Sequence, residues 1–153
     1  MKKTIKKIVM GLIACVFATA ASAQVVVTSP WVRATVPVQK SSGAFMVLRS
    51  AKDSRLVEVS SPMAERVELH KSSMENGIMR MEQVDGIDLP AGQDVSLASG
   101  GIHLMLFGLK QQLKEGQLVP LTLVVRGAGG KREKIVVQAM VQPLAHAPGH
   151  AGH

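Results

Sequence analysis

The run Ile102-His103-Leu104-Met105-Leu106-Phe107 sets an imidazole and a thioether two residues apart. Side chains of a strand alternate between faces, so Ile102, Leu104 and Leu106 share one face and His103, Met105 and Phe107 the other. The aliphatic trio reads as a core face, which leaves the imidazole and the thioether side by side on the second. A matching pair lies upstream. Asn76-Gly77 is the strongest short turn signal in the chain, since both residues tolerate the positive φ of a type I′ turn. A two-residue loop there opposes Glu75 to Ile78, Met74 to Met79, Ser72 to Met81 and His70 to Gln83. His70 and Met81 become diagonal neighbours on one face, roughly 7–8 Å apart at the backbone. Each pair can share one small ion. Brought together, the pairs make a two-imidazole, two-thioether set of His70, Met81, His103 and Met105.

These donors select their ion. Thioether sulfur is soft and uncharged and prefers Cu(I) over zinc, calcium or magnesium, and imidazole accepts copper as well. The ligand set is neutral, so it favours a singly charged ion and releases none of the protons a thiol would. The same residues also fit ordinary packing. Methionine is a flexible core filler, a strand histidine is commonly just hydrogen-bonded, and Met74 and Met79 share the face of Met81. Three further histidines, His146, His150 and His153, fall in the stretch Pro143 to His153, rich in Ala, Gly and Pro. Imidazoles without methionine suit Cu(II); the plainer reading is a solvated, disordered tail.

The elements that must position these residues are short β-type runs. Strands are expected over 31–36, 43–48, 56–59, 66–71, 78–84, 102–107, 118–125 and 134–141, separated by Gly, Pro, Asn and Ser breakers. Eight such strands predict an all-β, antiparallel sandwich or barrel. The N-terminus is different. Lys2, Lys3, Lys6 and Lys7 precede an apolar run closed by Ala21-Ser22-Ala23, which reads as a signal peptide cleaved before Gln24. A retained anchor is the alternative, although the run is shorter than the roughly 20 residues a spanning helix needs. The chain therefore divides into a signal peptide (1–23), one domain (24–142) and the histidine tail (143–153). The expected product is exported, with no stable membrane insertion after cleavage.

Charge and cysteine content exclude several functions. The chain of 153 residues carries 18 Lys+Arg against 11 Asp+Glu, a formal +7. Without the four leading lysines, 14 basic residues face 11 acidic ones, and a balance of +3 does not point to a nucleic-acid partner. The single cysteine, Cys15, lies inside the apolar run and leaves with it. That removes thiol–disulfide exchange, cysteine nucleophiles, cysteine-ligated zinc and blue copper from the mature chain.

The spacing His70, ten residues, Met81, twenty-one residues, His103-x-Met105 resembles the signature of the periplasmic PCuAC-type copper chaperones. The flanks are similar too. Trp31-Val32-Arg33 and Gly43-Ala44-Phe45 resemble the opening strands of that family. Met79-Arg80-Met81 and Gly100-Gly101-Ile102-His103-Leu104-Met105-Leu106 resemble its metal strands. Leu113-Lys114-Glu115-Gly116 and Val119-Pro120-Leu121 resemble its closing segment, so the likeness spans about residues 28–141. Two departures stand out. Phe45 and Ile102 replace a frequent Tyr, and Arg49-Ser50 replaces an Asn-containing turn; neither is expected to touch a ligand. The resemblance implies a cupredoxin-like Greek-key β-sandwich holding Cu(I) through His70, Met81, His103 and Met105. It also implies delivery to the CuA site of cytochrome c oxidase or another periplasmic acceptor, with a second periplasmic copper chaperone as a further partner. Two other classes compete: a copper redox protein, and an assembly module whose methionines only pack. Against the first stand the missing cysteine and the expectation of no carboxylate near the ligand strands.

Overall fold

The computed structural model describes residues 24–145. Ten strands follow one another: β1 (Val25–Arg33), β2 (Ser41–Ser50), β3 (Ser54–Ser60), β4 (Ala64–Glu75), β5 (Ile78–Val84), β6 (Ile87–Leu89), β7 (Asp94–Leu97), β8 (Ile102–Leu109), β9 (Leu118–Gly127) and β10 (Arg132–Gln142). A single 3-10 turn, Ala128–Gly130, joins β9 to β10, and the described residues contain no α-helix. The strands form one sheet in the order β5-β4-β8-β2-β1-β10-β9-β3-β6, with β7 paired to β2. Pairing is antiparallel except between β1 and β10, which run parallel. The sheet does not close, yet buried residues from β1 to β4 and β6 to β10 make one apolar cluster. The fold is thus all-β and wraps one core, as the alternating pattern predicted.

Seven of the eight expected runs lie wholly within strands, the first (31–36) is strand only through Arg33, and β6 and β7 are additions. At three and four residues they are too short to show alternation, and Pro90-Ala91-Gly92 between them reads as a break. β1 also starts earlier than expected. Its pairing with β2 slips between Thr28 and Trp31, where Ser29 takes a φ of 50°. This bulge switches the parity of the strand. Val25 faces the core before it and Val32 after it, and Trp31 and Arg33 are carried to the opposite face. Arg49 and Ser50, expected in a turn, are the last two residues of β2, and Arg49 pairs with Asp94 of β7 at 3.1 Å.

Candidate metal centre

The site is built on the outer face of the segment β5-β4-β8-β2-β1. On β8, Leu104 and Leu106 are fully buried in the core, which turns His103, Met105 and Phe107 outward. On β4, Leu69 and Val67 take the core side, and Glu68 and His70 take the outer side. The β4–β8 register then sets His70 directly opposite His103 and Glu68 opposite Met105. The β4–β5 hairpin turns at Asn76 (φ 51°) and Gly77 (φ 75°) and pairs Ser72 with Met81 and Met74 with Met79, the register expected for a type I′ turn.

These pairings bring Met81, His103 and Met105 onto one open cavity of about 150 Å³, which Arg33, Gly43, Phe45, Ser99 and Gly100 complete. His70 stands beside it, its ring centroid 6.0 Å from that of His103 and 5.9 Å from Phe107. An ion about 2 Å from one nitrogen of each ring puts the centroids roughly 5–6 Å apart. Gly43 faces Met105 across β2 and β8, and the Phe45 ring lies over it where a side chain would otherwise stand.

The hydrogen bonds fix what each imidazole offers. His103 is 3% exposed, and its Nδ1–H donates to the Gly101 carbonyl at 3.1 Å. A carbonyl only accepts, so the proton sits on Nδ1 and Nε2 keeps its lone pair. His70 donates through Nε2–H to Glu68 Oε2 at 2.8 Å, which leaves Nδ1 as the acceptor. That Nδ1 is buried and has no hydrogen-bond partner. A buried acceptor without a partner is uncommon, and here it lies on the face of the other three donors. Both rings are thus oriented by their second nitrogen, as histidine ligands of metals are.

The sequence expectation places no carboxylate near the ligand strands. The structure corrects this. Glu68 accepts from His70 and, through Oε1, from Arg66 Nε at 2.8 Å. The bond from His70, then that from Arg66, holds its carboxyl below the usual carboxylate range. Strand period alone would have found it, since it lies two residues before His70 on the same face. Phe45 lines the same cavity, its ring centroid 6.4 Å from that of His103 and 4.5 Å from that of Trp31, so the departure at this position bears on the cover of the site rather than on its donors. Arg33 lies over both Trp31 and Phe45, at 5.8 and 5.5 Å.

Methionine accessibility separates packing from display. Met46 is buried and Met63 packs on the core, but Met74, Met79 and Met81 are 66%, 53% and 59% exposed. Among the described residues no three His, Cys, Asp or Glu side chains are grouped as a metal site requires. The side chains that line the cavity beside His103 include the thioethers of Met81 and Met105. His146, His150 and His153 lie outside the described residues, as does the segment 1–23.

A family profile described as "Putative lipoprotein LpqE-like" matches residues 25–139, from the start of β1 into the last strand. The chain belongs to the LpqE-like family. Among relatives, "Putative lipoprotein Lxx21020" of Leifsonia xyli subsp. xyli (strain CTCB07) is 32% identical over 129 residues, covering 78% of each chain. Two solved structures extend the comparison. The copper-bound PCuAC domain from PmoF2 superposes with a TM-score of 0.64 at 22% identity, over 80% of this chain and 96% of that one. The Cu(I) form of DR1885 from Deinococcus radiodurans gives 0.57 at 31% identity, over 82% and 85%. This LpqE-like chain accordingly has the cupredoxin-like β fold of PCuAC domains.

Proposed function

We propose that this protein is an exported copper chaperone. It carries Cu(I) on His70, Met81, His103 and Met105 and releases it to an acceptor, the CuA site of cytochrome c oxidase or another periplasmic copper protein, by ligand exchange. One observation carries the reading. Two imidazoles meet across β4 and β8 with their outer nitrogens committed as donors and their remaining lone pairs free, beside two thioethers on an open face. Neutral soft donors suit Cu(I) and disfavour hard divalent cations. The Cu(I) form of DR1885, which shares the fold at 31% identity, supports the same ion. The protein acts as a carrier rather than an enzyme.

Export rests on the signal-peptide reading of residues 1–23, with cleavage before Gln24, and the lipoprotein in the relative's name agrees with it. No helix among the described residues is long and apolar enough to cross a membrane. The histidines of the tail form a separate Cu(II) site in this reading.

Anaerobic titration against a chromophoric Cu(I) chelator tests the proposal. The wild-type domain holds one Cu(I) against the chelator, and His103→Ala with Met105→Ala abolishes that chelator-resistant equivalent. Retention of a chelator-resistant Cu(I) by that double variant refutes the assignment. A parallel Cu(II) titration of the full mature chain and of a truncation ending at Pro143 tests the tail: Cu(II) uptake is lost with it.

A further inference from the structure

The methionines at the hairpin tip are not used by the four-ligand site. We propose that Met74 and Met79 form a separate thioether site that captures Cu(I) and passes it through Met81 into the cavity. The inference rests on the copper reading above and adds a way in for the ion.

Met74 and Met79 face each other across the hairpin, so their Cβ atoms lie about 4.5–5.5 Å apart. Each sulfur sits on a flexible side chain, and two facing thioethers at that spacing can close on one ion. Met81 follows Met79 by two residues on the same face and also lines the cavity with His103 and Met105. Three sulfurs therefore run from the hairpin tip to the metal centre. None of the three joins the core cluster, and each is more than half exposed.

That exposure needs a reason. β5 is the edge of the sheet, and large apolar side chains on an exposed edge invite unwanted pairing. The charged residues of the hairpin, Lys71 with Glu82 and Arg80 beside Ser73, stand at the alternate positions and so on the other face. The positions of Met74, Met79 and Met81 at the tip carry no carboxylate, and Glu68, farther along β4 on the same face, is engaged by His70 and Arg66, so the tip presents sulfur, which suits a soft cation better than calcium or magnesium.

The transfer balances without any co-reactant. Cu(I) held by the sulfurs of Met74 and Met79 gains a bond to Met81 as one of the first two breaks. Nitrogen lone pairs of His103 and His70 and the sulfur of Met105 then displace the other. Copper stays in the +1 state, and both accepting nitrogens are unprotonated, so neither electron nor proton moves.

Carbon-13 labelling of the methionine methyl groups in the full-length mature chain reads each sulfur directly. Met74→Leu and Met79→Leu singles assign the resonances, and anaerobic Cu(I), with Ag(I) as a redox-inert soft probe, supplies the ion. The Met74 and Met79 methyls shift as a second equivalent is added. The Met74→Leu/Met79→Leu double variant keeps its first equivalent, loses the second, and loads more slowly from a Cu(I)–chelator donor. Leucine preserves the apolar surface, so a patch that serves only for packing or docking gives unchanged loading. Unmoved Met74 and Met79 methyls at two equivalents, or wild-type loading by the double variant, overturn the proposal. If those two methyls shift while Met81 and Met105 stay still, the four-ligand reading and the onward transfer fail, and the hairpin's own ligation stands.

Discussion

Glu68 offers the sharpest test of how the centre is tuned. It touches no proposed ligand atom directly, yet its Oε2 holds the His70 Nε2–H at 2.8 Å, and Arg66 fixes the other oxygen at 2.8 Å. Glu68→Ala releases three constraints at once. The ring gains a second orientation, a factor of about two, and either nitrogen can then carry the proton, another factor of about two. The lone pair also loses the basicity that a carboxylate partner lends it. Together these weaken Cu(I) binding on the order of tenfold, the lower end of the 10–100-fold loss typical of such outer partners. The side chain is 19% exposed, which places the effect at that end because water takes over part of the role. Glu68→Gln separates the contributions. Its amide oxygen still accepts the His70 N–H, so orientation survives while charge is lost, and the affinity falls between wild type and Ala. The assay is anaerobic competition with a chromophoric chelator, paired with nitrogen-15 shifts of His70 in the copper-free protein. Wild-type affinity in Glu68→Ala, or a His70 proton on Nδ1 in the native protein, refutes the reasoning.

Three further outcomes follow from the packing. A Cβ added at Gly43 would stand 2.7 Å from the ring of Phe45, a residue 6% exposed whose ring lies 4.5 Å from that of Trp31, tilted by 33°. Gly43→Ala should cost about 1–3 kcal/mol and shift the emission of the chain's one tryptophan; an unchanged spectrum and melt would count against the contact. Leu104 is fully buried behind the ligand strand, so Leu104→Ala should lower unfolding free energy by about 2–5 kcal/mol in denaturant melts, with Cu(I) affinity nearly unchanged while the domain is folded. The fold depresses the Glu68 carboxyl, so its contribution is present above the ordinary carboxyl range and disappears as pH falls through the lowered value. The melting-temperature gap between copper-free wild type and Glu68→Gln should therefore be largest near neutrality and shrink in acid; a gap that grows on acidification contradicts the sign.

What the sequence made legible was periodic or chemically distinctive. The Asn76-Gly77 turn set a register that the hairpin keeps along its length, and alternation in β8 separated Leu104 and Leu106 from His103 and Met105. The direct opposition of His70 and His103 was not legible, because β4 and β8 are joined by a long path in which β5, β6 and β7 intervene. Nothing local sets a non-local register. The bulge at Ser29 was hidden for a related reason: a parity switch looks like broken alternation until the partner strand is known. Glu68, two residues before His70 on the same strand face, was legible from strand period alone. The cover over the site was hidden as well, since Trp31, Phe45 and Arg33 meet only when β1 and β2 pair.

Arg33 bears on the oxidation state of the cargo. Its guanidinium lines the same cavity as Met81, His103 and Met105 and makes no salt bridge among the described residues. The nearby carboxylate, Glu68, is already engaged by His70 and Arg66. An ion entering the cavity therefore meets neutral ligands and a fixed positive charge. Coulomb repulsion scales with the charge of the ion, so Cu(II) suffers twice the penalty of Cu(I) from Arg33 while gaining no anionic ligand to offset it. Softness and electrostatics then act in the same direction: thioethers favour Cu(I) by bonding, and Arg33 disfavours Cu(II) by charge. Removing the charge with Arg33→Gln should narrow the preference for Cu(I) over Cu(II) without changing the ligands, because the four proposed donors are untouched. Equal Cu(I)/Cu(II) affinity ratios in Arg33→Gln and wild type would show that the thioethers alone set the preference.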